Sequence, residues 1–460
     1  MHACNIIDML AYFMFPAFII PFWAARFFAR GNTESAKTGL VVNLLISLIV
    51  FPIYLVLIPI INAYALHVSE TQLLLYTVAS LQIFESYALI VLESLLLVKR
   101  PQMIGYGSVI LEVTKVTVGI ALIPRFKLLG AISVMLIASL IQLVFYLKFI
   151  IGELKAKIKW NYVKEWLKGS FFNVISAIGQ RVASLNLIML FIFGGGLARG
   201  FYGAAQTIAA AVGYSAALGF ALYPKLLSEK RKEDALTSLK LILMFAIPMA
   251  VGVMTLPNFY LTILKPEFAG ASLILIVLAL WFLIGSISSF LETVVYGTER
   301  LDEKDRIPIR VLLKSRIFLL AILPYVSSAV TLPTLFYILV SAPRQAFEAA
   351  LYLTLIDLVA GVALLIIRYR LAMKCLPFVF PKKTVAKYCL AAAAMIPVLF
   401  MIPQLANLSG TSDVPLLEAG AYFATTTLIG AAVYFAVLCL IDKETREIIG
   451  FIVKKVQGSF

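Results

Sequence analysis

Charged residues are scarce in this chain of 460 residues. Asp, Glu, Lys and Arg make up 14% of it, against about 25% in a typical soluble domain. Histidine is scarcer still, with His2 and His67 alone. The four cysteines, Cys4, Cys375, Cys389 and Cys439, are scattered and form no CxxC pair. Zinc and haem signatures, which need such pairs and clusters, are thereby excluded. No glycine-rich phosphate loop follows a strand-like run, so direct ATP coupling has no carrier. The triple glycine at Gly194 to Gly196 falls in a turn between two apolar runs. The N-terminus enters an apolar run without a basic leader, so no cleavable signal is read there. The alternating ten-residue segments of an outer-membrane barrel are also missing.

What is abundant is apolar surface. The hydrophobic set accounts for 62% of the chain, more than a soluble domain of this size can bury. About 20 apolar residues cross a bilayer core, and the sequence offers thirteen such runs: 6–28, 39–63, 72–98, 104–124, 129–151, 169–195, 200–228, 240–264, 269–297, 308–326, 345–367, 385–404 and 418–441. The stretch 331–341 is apolar but too short to span, and is expected to be interfacial or re-entrant. The fold class is therefore an all-α polytopic membrane protein with about 13 transmembrane helices.

Basic residues set the expected topology. Of the 39 lysines and arginines, 31 fall in one alternate set of connections, from Arg26, Arg30 and Lys37 to Lys454 and Lys455, and only five in the other. Basic residues collect on the cytoplasmic side. The C-terminus is thus expected inside, the N-terminus outside, and the net charge of +15 is a property of topology, not a nucleic-acid surface.

The chain also repeats itself. Leu92-Glu93-Ser94 matches Leu291-Glu292-Thr293 at an offset of 199, as do Glu34, Ala36, Thr38 and Leu40 with Glu233, Ala235, Thr237 and Leu239. Lys115 matches Lys314 at the same offset, Ala121 to Pro124 matches Ala321 to Pro324 at 200, and Leu140 to Val144 matches Leu355 to Val359 at 215. Both copies share one orientation, which makes this a parallel repeat. Segments one to five pair with segments seven to eleven. Segment six has no partner in the first copy, so the chain is expected to lack a first helix that its relatives possess.

Three stretches carry a family resemblance: Phe27 to Gly39 (FFARGNTESAKTG), Tyr202 to Glu229 (YGAAQTIAAAVGYSAALGFALYPKLLSE) and Pro266 to Arg300 (PEFAGASLILIVLALWFLIGSISSFLETVVYGTER). Together with the duplication followed by two further helices, they resemble the Wzx-like polysaccharide (oligosaccharidyl-lipid) flippase branch of the multidrug/oligosaccharidyl-lipid/polysaccharide exporter superfamily. The resemblance implies two helical lobes around a central cavity plus two C-terminal helices: residues 1–151 as the N-terminal lobe, 152–168 as a cytoplasmic linker, 169–370 as the C-terminal lobe, and 371–460 as two additional helices and a tail. It implies a transporter, not an enzyme: a flippase that moves a polyprenyl-(pyro)phosphate-linked oligosaccharide across the cytoplasmic membrane by alternating access, for cell-surface polysaccharide or glycoprotein assembly. The expected partners are the lipid-linked glycan, membrane lipids, and glycan polymerases or glycosyltransferases, with no nucleic acid and a monomeric state. No cofactor is expected; the energy source would be a proton or sodium gradient or the membrane potential.

Ionisable groups inside spans mark candidate sites. Arg181 stands with Asn173, Gln180 and Ser184 near one helical face of segment six. That stripe can grip a lipid phosphate, since a guanidinium matches phosphate oxygens in pairs, or it can form an interhelical hydrogen-bond seam. Lys115 either reaches substrate or is neutralised by Glu112 one turn away. Lys314, its repeat match, is a further substrate candidate or a rim anchor. Glu85, Glu112 and Asp357 are the coupling candidates, with structural pairing as the alternative for each. Pro16, Pro21, Pro52, Pro59 and Pro248 interrupt spans and permit kinks. Two rival functions remain: a cation-coupled multidrug antiporter of the same superfamily, and an integral-membrane glycosyltransferase.

Overall fold

Continuous apolar runs with no water to satisfy their backbone groups must fold as helices, and the computed structural model is all-helical. It describes residues 10–61, 70–219, 222, 226, 231–299, 309–341, 345–405 and 416–447. The helices used below are α1 (Leu10–Ala29, interrupted), α2 (Glu34–Ile61), α3 (Leu73–Lys99), α4 (Gln102–Ile150), α5 (Trp160–Gly169), α6 (Phe171–Ala183), α7 (Leu185–Gly213), α8 (Lys232–Thr255), α9 (Pro257–Leu264), α10 (Ser272–Thr298), α11 (Ile309–Leu313), α12 (Arg316–Ser341), α13 (Ala346–Cys375), α14 (Lys382–Leu405) and α15 (Leu416–Ile441).

Eleven helices among the described residues are long and apolar enough to cross a membrane, two fewer than the thirteen expected. The difference lies in two hairpins. α4 has 49 residues and as a straight rod would reach about 74 Å, more than twice a bilayer core of about 30 Å. Its backbone turns at Lys127, at φ 49° and ψ −121°, and a Cβ placed on Gly130 would lie 2.5 Å from the carbonyl oxygen of Leu122. Residues eight apart touch, so the helix folds back on itself. α7 breaks at Gly195 (φ 83°, ψ 173°), a left-handed conformation that favours glycine. α4, and the span Asn173–Gly219 that α6 and α7 form, each correspond to two expected segments, with the turns at or beside the expected connections.

One expectation is corrected. The stretch 331–341 is not a separate interfacial piece: α12 runs unbroken from Arg316 to Ser341, through Pro324 and Pro333. The tenth span accordingly starts at 316, not 308, after the short α11. Prolines are tolerated inside membrane helices where neighbouring groups satisfy the freed carbonyls.

The chain divides into two compact units. Unit 1 comprises residues 1–181, 223–228 and 299–324, and unit 2 the remainder. In unit 1 the aromatic side chains of Tyr54, Tyr76 and Tyr87 pack with Leu10, Ala17, Ile58 and Ile83. In unit 2, α13 packs along α10, and α14 and α15 pack against α8 and each other. Tyr434 of α15 is fully buried there and donates its hydroxyl to the Met244 carbonyl at 2.8 Å.

The matched glutamates occupy matched seams. Glu93 on α3 accepts a 3.4 Å hydrogen bond from the Tyr146 hydroxyl on the second arm of α4. Glu292 on α10 forms a 2.6 Å ion pair with Arg368 on α13. In each unit the glutamate faces the equivalent helix, so both serve the packing of the repeat. The approach in unit 1 is close: a Cβ on Gly107 would lie 2.1 Å from the Tyr146 ring.

Candidate functional site

The main polar constellation of unit 1 is built on a helix that cannot complete its own hydrogen bonds. Pro16 and Pro21 sit within α1, and the backbone between them forms a 3₁₀ turn over Phe15–Phe18. A proline has no N–H, so the carbonyl four residues before it loses its helical donor. Side chains from three neighbouring segments supply donors instead. Asn43 of α2, fully buried, donates its amide to Ala17 O at 3.2 Å and to Tyr87 O at 2.7 Å. Ala17 is the residue that Pro21 would otherwise have served. Tyr87 of α3 donates to Phe13 O at 2.9 Å. Ser170 and Asn173 both donate to Ile19 O at 3.0 Å. Arg181 of α6 donates from Nη2 to Ala11 O at 2.7 Å, with its guanidinium 5.4 Å from the Tyr12 ring.

The geometry follows from antiparallel register. Asn173 meets residue 19 and Arg181 meets residue 11, so eight residues on α6 match eight on α1. The stripe predicted from sequence therefore exists in part. Asn173 and Arg181 face α1 together, but Gln180 is exposed and its nearest polar partner is Ser176 Oγ at 3.5 Å. Ser184 lies at the break between α6 and α7, where its carbonyl accepts the Leu187 N–H at 3.1 Å.

Lys115 and Glu112 form the local ion pair that their spacing allows, at 2.8 Å. They sit midway along the first arm of α4, with side chains 34% and 62% exposed. A half-exposed carboxylate halfway along a span faces a bundle interior or a watery cavity, because lipid disfavours it. Lys314 is exposed in the turn between α11 and α12, outside the spans, and the structure does not bring it to Lys115 as a partner. Glu85 is half-buried in α3, and its Oε2 has no hydrogen-bond partner among the described residues.

Asp357 anchors a second constellation, in unit 2. Its carboxylate accepts two bonds from the Asn186 amide, at 3.2 and 3.3 Å, and a longer one from the Tyr202 hydroxyl at 3.5 Å. In a straight helix Asn186 and Tyr202 would lie about 24 Å apart; the Gly195 turn brings them to one carboxylate. Asp357 thereby clasps the two arms of the α7 hairpin to α13.

Sequence reasoning missed four residues that the structure makes prominent. Asn43, Tyr87 and Tyr202 read as ordinary span residues. Arg26, placed by sequence in a connection, is instead fully buried in α1, donates to Glu299 O at 2.7 Å and lies 5.5 Å from the Phe22 ring. The signal for Asn43 was available: a lone asparagine in an apolar run, one span from a proline-broken helix. Among the described residues, no three His, Cys, Asp or Glu side chains gather to hold a metal.

The fold is that of known transporters. No protein-family profile matches the sequence, and no curated protein does. Solved structures do match. The lipid II flippase MurJ, in an inward closed conformation, is 17% identical over 97% of this chain and 93% of its own, with a TM-score of 0.52. A variant of the Vibrio cholerae MATE transporter VcmN is 14% identical over 81% of this chain and 88% of its own, at 0.57. A transporter of the MOP superfamily from Pyrococcus furiosus is 12% identical with the same coverage, also at 0.57. The chain is thus a multi-pass membrane protein whose fold is similar to that of the MATE and MurJ structures.

Proposed function

We propose that this chain is a flippase that carries a polyprenyl-(pyro)phosphate-linked oligosaccharide across the cytoplasmic membrane by alternating access. The observation that carries the reading is coverage. The likeness to the lipid II flippase extends over 97% of the chain, whereas that to the MATE structure in complex with Br-NRF extends over 81%. The difference, about 16% of the chain, is close in size to residues 371–460, which hold α14 and α15. A multidrug antiporter of the same fold is the second reading, favoured by TM-scores of up to 0.57 for MATE-type structures against 0.52.

In the flippase reading, Arg181 exchanges partners. In the conformation described here it donates to Ala11 O, and a lipid phosphate offers a charged acceptor in place of a neutral carbonyl. A phosphate takes the guanidinium fork in pairs and adds an ion-pair attraction that a carbonyl lacks, so a bound phosphate competes with Ala11 O for Arg181. Loss of that tie loosens α1 from α6, which links substrate arrival to movement of a helix already weakened by two prolines. Lys115 and Glu112 line the aqueous side of α4, and Glu85 and Asp357 are the carboxylates available for coupling to a proton or sodium gradient.

The test is transport of a fluorescent lipid-linked oligosaccharide in proteoliposomes. Wild type is expected to expose the glycan to an outside quencher faster than protein-free vesicles, and Arg181→Ala to lose most of that gain. Arg181→Ala flipping at the wild-type rate would remove Arg181 from the phosphate role. Wild type no faster than empty vesicles would remove the function.

A further inference from the structure

Between the spans α4 and α6 lies the ten-residue helix α5, reading WNYVKEWLKG from Trp160 to Gly169. Its position is constrained by covalent tethers. Nine residues separate it from the end of α4 at Ile150, and one residue separates it from α6 at Phe171. A helix held this closely between two spans lies at the membrane surface.

The helix has four faces, set about 100° apart per residue. The face built from Tyr162, Trp166 and Gly169 is turned into unit 1. Trp166 is fully buried, and its ring stacks edge-on to Phe27 of α1 at 5.8 Å. About 100–120° round from Trp166 come Leu167 and Trp160, 56% and 54% exposed, and Phe171, the first residue of α6, is 50% exposed. About 160–200° round come the exposed Lys164 and Lys168. Beyond them, about 220–260° round, come Asn161 and Glu165. The order protein, apolar, basic, then polar and acidic is the order met by a helix lying in a bilayer surface: acyl chains, then phosphates, then water. Trp160 supplies the amphipathic ring typical of that boundary.

The charges fit the same partner. Lys159 pairs with Glu34 at 2.7 Å and Lys168 with Glu165 at 2.8 Å. Lys155, Lys157 and Lys164 form no ion pair among the described residues. We infer that α5 and the lysines leading into it form a binding site for anionic phospholipid of the leaflet on that side. Through the Trp166–Phe27 contact, bound lipid braces α1, the helix broken at Pro16 and Pro21. This inference needs only that the chain spans a membrane, and stands independently of the transported substrate.

The test uses the full chain in nanodiscs and in detergent. In nanodiscs, lipids brominated along the acyl chain are expected to quench the Trp160 emission, measured as wild type minus Trp160→Phe. In detergent, added phosphatidylglycerol is expected to raise the melting temperature, while phosphatidylcholine and inorganic phosphate do not. Each lysine near an anionic surface adds about fivefold to affinity, so Lys155→Gln/Lys157→Gln/Lys164→Gln is expected to need on the order of 100-fold more phosphatidylglycerol for the same rise. Its melting temperature without lipid serves as the folding control, since the three side chains form no ion pair among the described residues. Equal phosphatidylglycerol response in wild type and triple variant would overturn the inference. So would inorganic phosphate matching phosphatidylglycerol, or Trp160 emission quenched by aqueous acrylamide and untouched by brominated lipid.

Discussion

Replacing Asn43 by leucine removes the amide that serves two backbone carbonyls and keeps the branched outline and the number of side-chain heavy atoms. The two losses are unequal. Tyr87 lies inside the continuous helical stretch Gln82–Lys99, and its carbonyl keeps its place in that ladder. Losing a second donor there is worth about 0.6 kcal/mol, the mean for interhelical bonds in membranes. Ala17 O has no ladder donor, because Pro21 lacks an N–H, and leaving a buried carbonyl bare costs about 1–3 kcal/mol. Removing the Asn43 Oδ1, itself buried without a hydrogen-bond partner among the described residues, returns part of this. The expected net cost is about 2 kcal/mol. Pro21→Ala supplies the missing test. Ile19 (φ −68°, ψ −51°) and Ile20 (φ −83°, ψ −41°) are already helical, so the new N–H at position 21 points at Ala17 O. Asn43→Leu should then cost about 1 kcal/mol less in the Pro21→Ala background than alone. The assay is a double-mutant cycle on reversible unfolding in mixed micelles. Additivity within about 0.3 kcal/mol would refute the idea that Asn43 replaces the proline's missing donor.

Three further outcomes follow from the same reasoning. Asp357→Ala should destabilise by about 1–3 kcal/mol by stranding the Asn186 amide, and Tyr202→Phe by less than half of that, given its longer bond; unfolding midpoints in detergent check the order. Gly107→Ala should cost about 1–3 kcal/mol through overpacking against the buried Tyr146 ring, and Tyr146→Leu should suppress the effect, read as melting temperatures of the single and double variants. Burial works to raise the Asp442 carboxyl, but hydrogen bonds from Lys387 and from the Thr445 hydroxyl and N–H hold it below its ordinary range. A depressed carboxylate stabilises above its unfolded pKa, about 3.9, and loses that stabilisation as pH falls through its folded value. Lys387→Met should therefore lower the melting temperature at pH 7, with the gap to wild type closing as pH falls below about 4.

The helical architecture was legible because lipid leaves the chain few choices. The hairpin turns at Lys127 and Gly195 lie where a basic pair and a triple glycine interrupt apolar runs. The stretch 331–341 misled because, taken alone, it is too short to span, and its continuity with 316–330 shows only in the fold. The site was legible by half. Arg181 and Asn173 stood out as polar residues in a span, and Glu112 and Lys115 as a pair one turn apart. Their partners did not stand out, since the acceptors for Arg181, Asn173, Asn43 and Tyr87 are backbone carbonyls, and a carbonyl has no letter in the sequence. Only the prolines that expose them are visible, and linking Pro21 to Asn43 requires the fold.

The central claim is the cargo. Proteoliposomes loaded side by side with a fluorescent polyprenyl-pyrophosphate-linked glycan and with a cationic dye give the most direct test. The account predicts that wild-type protein flips the glycan lipid well above the protein-free rate and leaves dye efflux at background. Dye efflux driven by an imposed proton or sodium gradient, with glycan flipping at the protein-free rate, would contradict it.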